Sequence, residues 1–178
     1  MRRISPCGIV VMLLAAAATA ADVPESIVKE FALNDLKELN SALDLEYDPA
    51  VSSDGKGSIK ITTAGPVTVP LIAAGDLDIE DATLIYRAKV RCEKLTGSAF
   101  LEMWCVFAGK GDFFSRGLDS AVSGTADWTV IQARFYLKQG ENPTDVRLNV
   151  SINGAGTLWI DQIELVSAPL PQQSSADI

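Results

Sequence analysis

The sequence predicts an all-β protein: one antiparallel β-sandwich of about eight strands. Three observations carry that prediction. Apolar and polar residues alternate with period two in several separate segments, clusters of Gly, Pro, Asn and Asp divide those segments, and no long helical stripe intervenes. The pattern is plainest near the C-terminus. Val146, Leu148, Val150 and Ile152 alternate with Arg147, Asn149 and Ser151, as in a half-buried strand. Asn153-Gly154-Ala155-Gly156 is turn chemistry, and the β-branched and aromatic run at 157–166 reads as the returning arm of a hairpin.

Taken from the N-terminus, Arg2 and Arg3 precede an apolar run at residues 8–17, and Ala18-Thr19-Ala20 is a small-residue cleavage motif before Ala21-Asp22. The run is too short to span a bilayer, so residues 1–20 read as a secretory signal peptide and the chain as exported, periplasmic or secreted. Cys7 precedes the apolar run, where a lipoprotein cysteine would follow it, so no membrane attachment is expected after cleavage. Residues 21–43 are expected to form a leader packing on the domain. Within it Val28, Ala32, Leu36, Leu39 and Leu43 could make a helical stripe, but Asn34, Asp35, Asn40 and Ser41 interrupt it, so a short strand fits equally.

The sandwich domain is assigned to residues 44–168. Ser52-Ser53-Asp54-Gly55-Lys56-Gly57 is a turn before a strand at 58–63; Gly65-Pro66 breaks the chain, and Pro70 makes 67–72 an edge strand. Further strands are predicted at 83–92, 99–107, 113–118, 128–137, 146–152 and 157–166, with 93–98 as a hairpin loop between two of them. The Pro/Gln/Ser-rich residues 169–178 read as a disordered tail.

Composition excludes several functions. The net charge is −8, and loss of Arg2 and Arg3 would leave 13 basic against 23 acidic residues, or −10. Such a surface repels phosphate backbones, so neither nucleic acid nor an anionic membrane is the expected partner. Histidine is absent, which removes Ser-His-Asp and Cys-His catalysis and imidazole metal ligation. No phosphate-cradling loop or dinucleotide fingerprint is present. Glu102 is the one acid within an otherwise apolar strand and has no evident second carboxylate for glycoside hydrolysis. The expectation is a non-enzyme. Cys92 and Cys105 would lie on inward faces, but a simple hairpin loop at 93–98 would hold them out of register for a disulfide, so buried free thiols are expected.

Leu158-Trp159-Ile160-Asp161-Gln162-Ile163-Glu164-Leu165 resembles the last strand of galactose-binding-like jelly rolls, common among carbohydrate-binding modules, which often reads aromatic-x-Asp-Asp-x-x-Leu. Gly55-Lys56-Gly57-Ser58-Ile59-Lys60-Ile61 is similar to their early Gly-x-Gly-Ser-Leu-x-Ile strand, and Gly124-Thr125-Ala126-Asp127-Trp128 to their Gly-x-x-x-Trp segment. The block from Ala99-Phe100-Leu101 to Phe113-Phe114-Ser115-Arg116-Gly117 resembles one in exported bacterial proteins. The resemblance implies a jelly-roll sandwich, and two functions go with it: a non-catalytic module recognising a glycan, or a structural or protein-interaction domain of the cell envelope with no small-molecule ligand. It also implies one structural calcium, here between Asp161 and Glu46 or Asp48. Gln162 replaces the second Asp, and an opening Asn-x-x-Phe-Glu segment is missing, so an occupied calcium site is not expected; no other cofactor is implied.

Two places could carry a ligand. If the strands at 83–92, 99–107 and 146–152 share a sheet, Trp104 is flanked on its outer face by Arg87, Lys89, Glu102, Arg147 and Asn149. A flat aromatic among hydrogen-bonding groups suits sugar recognition, whereas cross-strand ion pairing around a covered Trp104 explains the same residues structurally. The second place is the loop expected at 109–116, where Lys110, Asp112 and Arg116 surround Phe113 and Phe114. Those two rings could instead anchor the loop to the core, and Trp128 and Trp159 read as packing residues.

Overall fold

A computed structural model describes residues 24–37, 39 and 45–171. The signal peptide expected at 1–20 and residues 172–178 of the expected tail lie outside them. Nine strands follow in order: β1 (Ser26–Phe31), β2 (Glu46–Asp48), β3 (Ser58–Thr63), β4 (Val67–Ala73), β5 (Ala82–Phe107), β6 (Gly111–Arg116), β7 (Val122–Leu137), β8 (Asp145–Ile152) and β9 (Gly156–Ala168). Every pairing is antiparallel.

The strands form one hydrogen-bonded network curled into two layers. The first runs β2-β3-β9-β5-β7, with β1 also on β9; the second runs β4-β8-β5-β6. β5 belongs to both. Its N-terminal half pairs with β9 from Thr83↔Ala168 to Glu93↔Thr157, and its C-terminal half pairs with β8 from Ala99↔Ile152 to Val106↔Asp145. The two strands and hairpin loop expected at 83–107 are therefore a single strand of 26 residues.

Bulges, rather than a reversal, dispose of residues 91–98. The register against β7 shifts between Val90 and Cys92, Cys92 and Leu95, and Leu95 and Ser98, while Lys94 takes a left-handed φ of 55°. Each extra residue bends the strand and increases its twist. The β8–β9 turn clamps the bend: Asn153 N–H donates to Ser98 O at 2.8 Å, and Thr96 N–H donates to Ala155 O at 2.9 Å. Gly97 permits this approach, because a Cβ there would lie 1.7 Å from the Asn153 carbonyl oxygen.

The alternating residues of both layers meet in one core. Leu84, Tyr86, Ala88, Val90 and Cys92 face inward from the first half of β5, and Leu101, Met103 and Cys105 from the second, joined by Val146, Leu148, Val150 and Ile152. Each fully buried Leu or Ile contributes about 1.5–3 kcal/mol. In β9, Ile160 and Ile163 both point inward across a bulge, where Gln162 has φ 47°. Among the described residues β4 pairs only with β8, so Pro70 lies on an edge strand, where a missing N–H is tolerated. Of the two options for the leader, residues 26–31 take the strand, adding β1 to β9.

Cys92 and Cys105 are buried free thiols. The reason differs from the hairpin argument, since they lie thirteen residues apart on one continuous strand. Burial pushes the Cys105 thiol up to about 12.

If close approach at the bend holds the layers together, Gly97→Ala should cost about 1–3 kcal/mol in urea unfolding, the usual penalty of overpacking. Gly65→Ala, where an added Cβ meets nothing within 4 Å, should stay within about 0.5 kcal/mol of the parent. Equal effects of the two substitutions would show that the clamp is not needed.

Candidate functional site

On the outer face of the second layer, β5 places Glu102 and Trp104 between two neighbouring strands. On one side stand Asn149 and Arg147 of β8, opposite Glu102 and Trp104 respectively. On the other stand Arg116 and Phe114 of β6, opposite the same two residues. The period of two puts all six side chains on one surface.

Glu102 organises this surface. It is 4% exposed, and its Oε1 accepts from Trp104 Nε1 at 2.7 Å and from Asn149 Nδ2 at 3.4 Å. Its Oε2 accepts from Arg116 Nε at 2.7 Å. Burial pushes the Glu102 carboxyl up, but the Trp104, Arg116 and Asn149 hydrogen bonds and the Arg116 charge outweigh it and hold the group below the usual carboxylate range. The anion in turn fixes the indole and the guanidinium. Trp104 and Phe114 form a tilted pair with centroids 4.9 Å apart, and the Arg116 guanidinium sits 4.8 Å from the Phe114 ring centroid. Arg147 Nη2 pairs with Asp112 Oδ2 at 2.6 Å and its Nε with Asp145 Oδ2 at 3.3 Å. The result is an aromatic strip, half-buried at Trp104 and half-exposed at Phe114, bordered by polar groups held in place.

Of the residues expected beside Trp104, the structure brings together Glu102, Arg147 and Asn149, but not Arg87 and Lys89. Those two lie on the half of β5 that pairs with β9, across the bend and on the outer face of the other layer. There Arg87 pairs with Glu25 at 2.6 Å and with Glu164 at 3.8 Å. The expectation failed because it folded 83–92 and 99–107 side by side, whereas they run end to end.

The two candidate places in the sequence converge instead. Residues 111–116 are not a loop but strand β6, and pairing with β5 brings Phe114 and Arg116 against Trp104 and Glu102. Neither Phe113 nor Phe114 anchors a loop in the core; each is 49% exposed. The signal that could have found them is Ala108-Gly109-Lys110, a Gly-containing three-residue connection between Phe107 and Gly111, which pair across it. Trp159 is a buried packing residue, on the outer face of the first layer, and its indole donates to Asp48 Oδ2 at 3.0 Å. Trp128 is half-buried.

The three carboxylates considered for calcium engage different partners. Glu46 pairs with Lys60 at 3.0 Å. Asp48 accepts from the Trp159 indole and from the backbone N–H groups of Ala50 and Val51, and these bonds, Trp159 foremost, hold its carboxyl below the usual range. Asp161 is fully buried and accepts from Ser53 N at 3.0 Å, Ser53 Oγ at 2.8 Å and Gln162 N at 2.9 Å. A calcium site needs converging oxygens, whereas donors converge on Asp161. Among the described residues no three His, Cys, Asp or Glu side chains gather to hold a metal. The residues do not fit the ion.

Glu102→Gln should lower stability by about 1–3 kcal/mol at pH 7, because Arg116 loses its counter-charge and one carboxylate acceptor becomes a donor. A carboxyl held low in the fold stabilises above its unfolded value of about 4.3, and that contribution fades as pH falls through the folded value. The gap between parent and variant should therefore narrow in urea unfolding below about pH 4. A gap independent of pH would contradict the charged network. Ser53 Oγ donates to the buried Asp161 carboxylate at 2.8 Å, so Ser53→Ala should cost about 1 kcal/mol. Melting temperatures in calcium and in chelator should coincide; a calcium-dependent rise lost in Asp161→Ala would overturn this account.

No protein-family model matches the sequence, and a sequence search of curated proteins finds no relative. Solved structures do match in fold. The CBM22-1 xylan-binding domain of Paenibacillus barcinonensis Xyn10C is similar with a TM-score of 0.60 and 12% identity, over 85% of this chain and 100% of that one. The CBM22-2 xylan-binding domain of the same protein gives 0.60 and 8%, over 79% and 99%. The C-terminal family 22 carbohydrate-binding module of Clostridium thermocellum Xyn10B gives 0.57 and 7%, over 83% and 96%. At these identities the likeness is one of architecture: the chain has the β-sandwich fold of these carbohydrate-binding modules.

Proposed function

We propose that this domain is a non-catalytic glycan-binding module and that the Trp104–Phe114 strip is its sugar platform. One observation carries the reading: two packed aromatic rings, one half-exposed, lie within a border of fixed donors and acceptors on a single sheet face. Sugar C–H faces pack on aromatic rings, and hydroxyls accept hydrogen bonds from amide and guanidinium groups and donate them to carboxylates. Asn149, Arg116 and Arg147 supply the donors; the carboxylates of Asp112 and Asp145 supply acceptors. The xylan-binding modules of like fold make xylan oligosaccharides the first ligands to try.

The same geometry speaks against hydrolysis. Glu102 is committed to three donors and held ionised, which suits positioning rather than proton transfer. Export, as residues 1–20 suggest, would place the module where polysaccharide is met.

Titration calorimetry with xylohexaose, preceded by a glycan array, tests the reading. Trp104→Ala and Phe114→Ala should each weaken binding about tenfold or more without unfolding the domain, the range expected for aromatic anchors. Arg87→Ala and Lys89→Ala, on the opposite face, should leave affinity unchanged. Absence of binding to every glycan, or loss that follows Arg87 rather than Trp104, would remove this assignment.

A further inference from the structure

The structure points to a second site, unrelated to the sugar platform, and we propose that it binds a small aryl carboxylate. Where β5 ends, β6 begins and β7 ends, Phe107, Phe113, Phe135 and Tyr136 line a cavity of about 270 Å³. Phe107 is its floor at 7% exposure, whereas Phe113 leaves 49% of its surface open to solvent; Tyr136 borders the cavity but alternates with Phe135 and Leu137 along β7, so its ring turns to the other face of that strand. The Phe113 ring stands edge-on to Phe107, with centroids 5.9 Å apart and planes at 68°. Phe135 lies tilted on the other side of Phe107, at 6.1 Å. These rings splay around a space rather than closing on one another. A planar ring entering there gains offset and edge contacts on three sides.

Charge sets the class of ligand. Lys110 and Lys138 stand at the rim, and among the described residues neither ammonium has an ion-pair partner, while Lys37, Lys56, Lys60 and Lys94 each lie beside a carboxylate. Glu141 also lines the cavity, but its Oε2 accepts the backbone N–H of Lys138 at 3.0 Å and is tied to its own loop. Two lysines without ion-pair partners lining an aromatic cavity, on a chain of net charge −8, are complementary to a ring that bears one negative group. A carboxylate attached to the ring would reach the rim and take charge-assisted hydrogen bonds from both lysines. A neutral apolar guest would fill the cup and leave those donors unused.

The site is separate from Trp104 and Phe114. Phe113 and Phe114 are successive residues of β6, so they project to opposite faces of the strand. Occupation of one face therefore needs nothing from the other.

Two ligands that share a ring and differ in charge test the proposal: 4-hydroxybenzoate and 4-hydroxybenzyl alcohol, titrated by calorimetry or by NMR shifts. The acid should saturate the site and bind about tenfold more tightly than the alcohol, the size of effect that charge-assisted hydrogen bonds produce. Combining Lys110→Gln with Lys138→Gln should bring the acid to the affinity of the alcohol. Phe113→Ala should weaken both ligands with little change in melting temperature, because the ring is half-exposed. Trp104→Ala should alter neither, which separates this site from the sugar platform whether or not glycan binds. Equal affinities for acid and alcohol, acid binding indifferent to the paired lysine substitutions, or no saturation up to about 10 mM, a limit that corresponds to negligible affinity, would each overturn the proposal.

Discussion

The bend in β5 is the constraint on which the rest of the molecule depends. One strand supplies the central pairing of both layers, with β9 before the bend and with β8 after it. Because β8 and β9 are consecutive, their connecting turn must lie at the bend, and Asn153 and Ala155 hydrogen-bond to it there. The two layers are hence covalently one sheet, and their spacing is set by backbone contact at Gly97 as well as by side chains. A strand that changes layers through bulges is a familiar way to turn a sandwich corner. Here it also decides which side chains share a surface.

The platform around Trp104 is organised by charge. Glu102 is nearly buried, and burial alone would favour its neutral form. Three donors from three different strands keep it ionised, and those donors are the residues whose positions matter. Arg116 shows the economy of the arrangement, since it neutralises Glu102 through Nε while lying against the Phe114 ring. Removing the carboxylate would release an aromatic, an amide and a guanidinium together. The surface is ordered before any ligand arrives, which reduces the entropy lost on binding.

Much of the fold was legible because period two is a local property. The strands containing residues 58–63, 146–152 and 157–166, and the edge placement of Pro70, follow from alternation and from a missing N–H. What could not be read locally was the direction the chain takes after Cys92. Glu93-Lys94-Leu95-Thr96-Gly97-Ser98 serves a hairpin loop or a bulged corner equally well, and only the partners on β7 and β8 decide between them. That single ambiguity displaced Arg87 and Lys89 from one face of the molecule to the other. β6 is obscured differently: Gly109 and Gly111 read as loop residues, although Gly111 already pairs with Phe107 as the first residue of the strand. Hence Phe114 and Arg116 were assigned to a site of their own instead of to Trp104.

The placement of Cys92 and Cys105, the cysteines among the described residues, has a consequence for the chemistry open to the folded domain. Cys92 precedes the bend of β5 and Cys105 lies on the half beyond it, and the two stay unbridged. Both sulfur atoms are enclosed by the core, and the thiolate form of Cys105 is strongly disfavoured. Among the described residues, neither glutathione nor a disulfide oxidase meets an accessible sulfur while the fold persists. The fold of the described residues is therefore built without a cross-link, and its stability does not wait on one forming.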